Sequence, residues 1–274
     1  MTAEDWFLKG AGIVGTDDRQ LAEEMRCCER ALELRTDYPE AHNNLGVILK
    51  RRGDQIAAEK HYRDAVRLWP QYPEAHYNLA ILLEETARPD EAASHYRLAL
   101  KWRAEYVDAL LRLAGLFDAW GDRHEAEYYF RESLRLRPGF AEAHNNFGVF
   151  LENQGDIQEA ESHYIQALQA RSNYAEAHYN YAMLLEARDL EEAEKHYRAA
   201  IRAMPEYAEA HNNLAVLLHE KGSFSDARSH YLTAIRIRPA DAQTYQNLSL
   251  LLAAMGEGEQ ADRYARRAAE IMEG

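Results

Sequence analysis

Apolar and small residues recur at helical spacing along most of the chain, and the whole pattern then repeats. Between residues 39 and 52, Ala41, Leu45 and Leu49 trace a 3.6-residue stripe, and Ala58, Tyr62, Ala65 and Val66 trace a second over 55–69. Each stripe predicts an amphipathic helix. Gly53-Asp54 lies between them: the glycine supports a left-handed helix end, and the aspartate can accept from the free amides that open the next helix. Gly121-Asp122 and Gly155-Asp156 repeat the pair, and Gly222-Ser223 varies it. Pro70, Pro138, Pro205 and Pro239 mark exits from second helices.

The chain copies itself. AHNNLG at 41–46 returns as AHYNLA at 75–80, AHNNFG at 143–148, AHYNYA at 177–182 and AHNNLA at 210–215. The period is 34 residues from Pro39 through Pro73, Val107 and Ala141 to Ala175, 33 to Ala208, and 34 again to Ala242. Internal repetition at this period outranks any ordinary domain assignment. Seven repeats follow: 39–72, 73–106, 107–140, 141–174, 175–207, 208–241 and 242–274. The fifth carries ARDLEEA at 187–193 where the fourth has NQGDIQEA, so one turn residue is missing and a tighter or reshaped turn is expected near Asp189. Residues 1–38 fit less well. Trp6, Gly10 and the run Leu21–Leu34, with Cys28, Ala31 and Leu34 on its second helix, form either a divergent N-terminal repeat or a capping region.

These residues resemble the tetratricopeptide repeat family. The opening repeat matches at Leu45, Gly46, Leu49, Gly53, Ala58, Tyr62, Ala65 and Pro70, with His42 where the family usually has an aromatic. The fourth repeats the set as His144, Phe147, Gly148, Leu151, Gly155, Ala160, Tyr164 and Ala167, with Ser172 in place of the proline. Gly46, Ala80, Ala114, Gly148, Ala182, Ala215 and Ser249 would allow close helix crossing. The resemblance implies an all-α fold, a right-handed alpha-alpha superhelix of antiparallel helix pairs. It also implies a protein-interaction scaffold whose first helices line a concave surface. Fold alone does not assign a role.

A ladder of amides offers the candidate chemistry. Asn44, Asn78, Asn146, Asn180, Asn213 and Asn247 share one register on first helices, and Arg112 interrupts them in the third repeat. Asparagine is a poor mid-helix residue because its amide competes for backbone bonds, so its retention needs a reason. One reason is an intrarepeat or inter-repeat hydrogen bond, or inheritance by duplication. The other is a row of amides facing a ligand. The ladder resembles that of the O-linked N-acetylglucosamine transferase superhelix, which implies clamping of an extended polypeptide backbone. Helices about 8–10 Å apart and a strand rising about 3.3 Å per residue would set one asparagine at roughly every third ligand residue. An amide both donates and accepts, so it reads main chain without demanding one side chain.

Asn43, Tyr77, Leu111, Asn145, Tyr179, Asn212 and Gln246 precede the ladder, with Tyr77 and Tyr179 joining the binding candidates. Val47, Ile81, Gly115, Val149, Met183, Val216 and Leu250 lie one turn on. Glu40, Glu74, Asp108, Glu142, Glu176 and Glu209 open the first helices, and Glu84, Asp118, Glu152 and Glu186 follow later. The opening acids also favour the positive helix end. Together these residues predict a polar–apolar groove with acidic edges. The family's lysine–asparagine–arginine carboxylate clamp is not matched, since Glu40, Glu74 and Glu142 stand where basic residues would help.

Charge and composition narrow the partner. The chain has 32 basic and 46 acidic residues, a formal −14, which argues against nucleic acid and anionic membrane surfaces. An extended neutral or basic protein segment is the expected partner. Homo-oligomerisation through terminal repeats is the alternative, with Tyr264, Ala265, Ala268 and Ile271 on the last helix as candidates. A further alternative is the repeat part of a larger enzyme complex. No membrane span or secretion leader is read, and adjacent Cys27 and Cys28 suit a reducing, cytoplasmic setting. No phosphate loop, dinucleotide fingerprint, nucleophile elbow, HExxH or CxxC appears, so no enzyme and no cofactor is expected.

Ten of the 12 histidines form two ladders: His42, His76, His144, His178 and His211 on first helices, and His61, His95, His163, His196 and His230 on second helices. Spread along a stack, they read as packing residues and not as metal ligands, which must converge. Buried neutral histidines resist protonation, so stability is expected to fall from about pH 6.5 to 5.

Overall fold

A computed structural model describes residues 1–13 and 17–273. Residues 14–16 of the N-terminal piece and Gly274, the expected end of the last repeat, lie outside the described residues. The described elements are sixteen helices. The first eight are α1 (Ala3–Ala11), α2 (Asp18–Leu34), α3 (Pro39–Arg51), α4 (Gln55–Leu68), α5 (Pro73–Glu85), α6 (Pro89–Trp102), α7 (Val107–Ala119) and α8 (Arg123–Leu136). The others are α9 (Ala141–Gln154), α10 (Ile157–Ala170), α11 (Ala175–Leu185), α12 (Leu190–Ala203), α13 (Ala208–Glu220), α14 (Phe224–Ile237), α15 (Ala242–Ala254) and α16 (Gly258–Glu273). The stripes expected at 39–52 and 55–69 are α3 and α4, shorter by one residue at their C-termini.

Two compact units divide the chain, residues 1–138 and 139–274. In the first, consecutive helices pair as α1–α2, α3–α4, α5–α6 and α7–α8, and α2, α4 and α6 each also pack on the helix that follows. The second follows the same rule with α9–α10, α11–α12, α13–α14 and α15–α16. Short turns within the pairs from α3–α4 onward make their helices antiparallel.

A single hydrogen-bond pattern closes most of these turns. The amide of Asp54 donates to the Leu49 carbonyl at 2.9 Å, six residues inclusive, while Gly53 bridges them at φ +84°. This is a Schellman end, which satisfies carbonyls that the helix leaves open. It recurs from Asp122 to Phe117, Asp156 to Leu151, Ser223 to Leu218 and Glu257 to Leu252, over left-handed Gly121, Gly155, Gly222 and Gly256. Asp54 and Asp122 also accept from the amides of Ala57 and Glu125, as expected. Asp156 corrects the expectation: its ψ is 59°, against 76° and 81° at the other two, and its side chain bonds no helix amide.

The second repeat keeps the bond without the glycine. Arg88 donates to the Leu83 carbonyl at 2.8 Å, and Ala87 occupies the left-handed position at φ +58°. Thr86 and Arg88 frame it: Arg88 bonds both the Thr86 hydroxyl and the Glu59 carboxylate of the preceding repeat. The fifth repeat, one residue short, drops the pattern. α11 stops at Leu185, and the Asp189 amide reaches back only to Leu185 while its carboxylate caps Glu191 and Glu192. The reshaped turn at Asp189 was legible from the missing residue.

Packing inside each pair centres on one aromatic. Tyr62, Tyr96, Phe130, Tyr164, Tyr197 and Tyr231 recur at the repeat period and are all fully buried. A Cβ added to Gly46 would lie 2.6 Å from the Tyr62 ring, and one on Gly148 would lie 2.7 Å from Tyr164. The small residues therefore fix the approach of the paired helices. α1 and α2 use a similar device: a Cβ on Gly10 would lie 2.9 Å from Cys27 Cβ. Cys27 and Cys28 are buried free thiols, and Trp6 and Phe7 pack against Tyr38 and Ala41. Cys28, Ala31 and Leu34 all lie on α2, as expected, with Leu34 exposed at its last turn.

Ala87 is solvent-exposed, so its methyl contributes little packing while its backbone sits where L-residues are strained. Ala87→Gly should raise unfolding stability by about 0.5–1 kcal/mol, the strain relieved less the entropy glycine adds to the unfolded chain. Urea or thermal unfolding of the two proteins checks this, and a lower midpoint for the glycine variant would contradict it.

Candidate functional site

The asparagine ladder lies on first helices, half-buried, and it is tied from one repeat to the next. Asn78 Nδ2 donates to Asn43 Oδ1 at 2.9 Å, and Asn43 Nδ2 in turn donates to Asn44 Oδ1 at 3.4 Å. Asn180, Asn145 and Asn146 repeat this relay at 3.0 and 3.2 Å. Asn247, Asn212 and Asn213 repeat it at 3.0 and 3.1 Å. Where tyrosine precedes the ladder, its hydroxyl takes the asparagine's part. Asn213 donates to Tyr179 Oη at 3.2 Å, and Arg112, exposed, bonds Tyr77. Tyr77 and Tyr179 are further held by Tyr106 and Tyr207, with ring centroids 4.7 and 5.0 Å apart. The inter-repeat bond weighed at the sequence level thus exists. It still leaves Asn78 with its second hydrogen and its carbonyl oxygen, since one donor bond is its only polar contact among the described residues.

Apolar neighbours stand beside the amides. Asn78 lines a 280 Å³ cavity with Val47, Ile81, Tyr62, Lys50 and Arg51. Asn247 lines one of 380 Å³ with Val216, Leu250, Phe224 and Glu220. Met183 and Val216 line another of 410 Å³ with Glu186 and Glu220. The expected mixed polarity is present; the charged residues lining the cavity at Asn78 are Lys50 and Arg51, and Lys50 pairs with Glu85 at 2.7 Å. Several of the acids expected along the edges have structural partners. Glu84 and Glu152 accept from the buried Tyr96 and Tyr164 hydroxyls at 2.6 Å, and Glu186 accepts from Tyr197. Glu74, Asp108 and Glu209 pair with Arg103, Arg137 and Arg238 at the exits of their own repeats. In the third repeat Phe130 has no hydroxyl to offer Asp118, and burial pushes that carboxyl up.

The histidines correct the sequence reading most. The two ladders do not stay apart. His42 meets His61, His76 meets His95, His144 meets His163 and His211 meets His230, each with Nδ1 atoms 2.9 Å apart, and His178 meets His196 at 2.8 Å. The contact joins the two helices of one repeat. The backbone sets the tautomers. Nε2 of His42, His76, His178 and His211 lies 3.0–3.1 Å from the carbonyl oxygens of Thr36, Pro70, Ser172 and Pro205, so Nε2–H donates. Nδ1 of each is then a lone pair, and Nδ1–H of the second-helix partner donates to it. Burial, with the partner imidazole adding to it, pushes His95 and His230 down to about 4. The signal lay in the constant separation of 19 residues, 18 in the shortened fifth repeat.

On the last helix, Tyr264 and Ile271 are half-buried and Ala265 is exposed, but Ala268, expected as part of a contact patch, is only 1% exposed. No helix among the described residues is long and apolar enough to cross a membrane.

Family models described as tetratricopeptide repeat match residues 45–106 and 182–242, with further ones on 27–60, 107–140, 139–206 and 242–273. No curated protein matches the chain. Among solved structures, the APC/C hetero-tetramer Cut9–Hcn1 matches with TM-score 0.72 and 17% identity, over 92% of this chain and 53% of the other. This chain thus spans about half the length of that relative. Human IFIT1, a dimer with m7Gppp-AAAA, matches with TM-score 0.63 and 17% identity over 99% and 72%. MamA matches with TM-score 0.54 and 21% identity over 62% and 93%. At these identities the likeness concerns the fold.

The histidine pairs make stability depend on pH. With folded values near 4 for His95 and His230 against about 6.5 unfolded, the unfolded chain binds more protons between those limits. The contribution is complete above about pH 6.5 and is lost as pH falls toward 4. After discounting for partial solvent screening, each of these two pairs should lose on the order of 1–2 kcal/mol. Thermal unfolding from pH 7.5 to 4.5 measures this, and a flat melting temperature from 6.5 to 5 would refute it.

Proposed function

The chain belongs to the tetratricopeptide repeat family, and on that premise we propose a non-catalytic scaffold that holds an extended polypeptide segment against its first helices. The observation that carries this reading is Asn78: one amide hydrogen and its carbonyl remain available beside Val47 and Ile81, in a cavity that Tyr62, Lys50 and Arg51 also line. A main chain presents alternating donors and acceptors and matches that combination. Asn44 would extend the contact within residues 1–138, with Tyr77 and Arg112 beside it, and Asn146, Asn180, Asn213 and Asn247, with Tyr179, would offer a like row within residues 139–274. The resemblance to the asparagine ladder of the O-linked N-acetylglucosamine transferase superhelix supports the same mode.

A neutral or basic segment suits the formal charge of −14. The same charge disfavours an RNA-like ligand such as the m7Gppp-AAAA held by IFIT1, because phosphate binding needs a positive surface. Two buried, unpaired thiols suit a cytoplasmic setting.

The test must separate ligand contact from repeat stacking, since the ladder amides serve the inter-repeat bonds. Asn146, Asn180 and Asn213 are changed together to alanine, and captured proteins are compared by affinity pull-down and mass spectrometry. Peptides from the captured segment are then titrated. Loss of about tenfold or more in affinity with unchanged circular dichroism supports the groove, each tenfold being about 1.4 kcal/mol. Asn145→Ala is the control: it removes the buried partner of Asn180 while leaving every ladder amide in place. Equal losses from both variants would assign the asparagines to stacking alone.

A further inference from the structure

We propose that His42, His61 and Asp64 form a binding site for a borderline divalent transition-metal ion, of which zinc is representative. One ligand atom from each residue lies within 4.8 Å of the other two, and all three residues are half-buried, so solvent reaches them. The imidazole Nδ1 atoms are 2.9 Å apart. Metal–ligand bonds of about 2.0–2.2 Å in a tetrahedron require ligand separations of roughly 3.3–3.5 Å. The pair therefore opens by about half an ångström, and the carboxylate closes by a side-chain rotation.

The outer contacts are already those of a metal site. His42 Nε2–H donates to the Thr36 carbonyl at 3.1 Å, which leaves the Nδ1 lone pair aimed at His61 and fixes the ring. Such a carbonyl behind a ligating imidazole is the usual second contact of a histidine ligand. His61 frees its own Nδ1 by moving the proton to Nε2, so both rings stay neutral and no proton is lost. Asp64, one turn beyond His61 on α4, exchanges its Arg67 partner, now 2.9 Å away, for the cation. Two imidazoles and one carboxylate suit zinc, cobalt, nickel or copper, and not magnesium or calcium, which prefer oxygen ligands. Water completes the open position.

The other four pairs separate this site from a general property of the ladder. Leu98, Gln166, Ala199 and Thr233 stand where Asp64 stands in the first repeat. The acids near those pairs, Glu91, Glu159, Glu192 and Asp226, lie one turn before the second-helix histidine instead, Glu159 at 3.9 Å from His163 Nε2. Among the described residues none of them joins both imidazoles in one group of ligand atoms. The bound ion would clamp α3 to α4 across 19 residues of chain.

Untagged protein titrated with cobalt(II) reports the site through visible ligand-field absorption. One equivalent should bind ahead of all others and be displaced by one equivalent of zinc in calorimetry. Asp64→Ala should weaken that equivalent tenfold or more, with the helical circular dichroism unchanged because Asp64 is half-exposed on α4. His95→Ala should leave it intact. Leu98→Asp should build a second equivalent beside His76 and His95. Cobalt affinity of Asp64→Ala within twofold of the parent would overturn the proposal. So would five equal equivalents, no stoichiometric binding, or a Leu98→Asp protein that gains none.

Discussion

The contact on which the rest depends is a buried aromatic ring set against a residue with little or no side chain. Tyr62 on Gly46 and Tyr164 on Gly148 bring two helices so close that an added Cβ would lie under 3 Å from the ring, and alanine holds the same position against Tyr96, Tyr197 and Tyr231 in other repeats. A ring buried there carries a hydroxyl that must find an acceptor, and in three repeats it finds Glu84, Glu152 or Glu186 one helix away. The same close approach brings a histidine from each helix to within hydrogen-bond distance. Helix separation recurs with the period, and tyrosine satisfaction and histidine pairing follow from it in the repeats that carry those side chains.

Much of this was legible in the sequence because it is local or periodic. Helix ends at Gly53, Gly121, Gly155 and Gly222 need only the chemistry of a left-handed residue, and the missing residue near Asp189 had to change a turn. What escaped was chemistry that joins two helices. His42 and His61 each read as a member of its own row, since a stripe describes one helix face and says nothing of what meets it. Ala87 shows a different limit. No propensity marks an alanine as left-handed, and it is held there by the carbonyl that Arg88 must reach and by the Thr86 and Glu59 contacts around it.

The candidate groove is half legible for a related reason. Which residues form the ladder follows from register alone. That Asn43, Asn145 and Asn212 lie behind it as acceptors does not, because the bond runs between repeats. The ladder amides consequently act in two directions at once, backward to the preceding repeat and outward to the cavity. A ligand bond at Asn78 would share a side chain with the junction between α3 and α5. Occupancy and stiffness of that junction are therefore linked through one amide.

The relay bonds Asn78–Asn43, Asn180–Asn145 and Asn247–Asn212 each span 35 residues, one period plus one. Such a bond depends on phase and not on absolute position. Duplication of the first repeat, or removal of the fifth, would rejoin an asparagine donor to an asparagine acceptor with no compensating change elsewhere, whereas duplication of the third would set Arg112 against Leu111, which offers none. Copy number of the asparagine-bearing repeats is thus nearly neutral to the junction, and a loss out of phase would break it at once. The length of surface offered to a partner becomes a quantity that inheritance can adjust in steps.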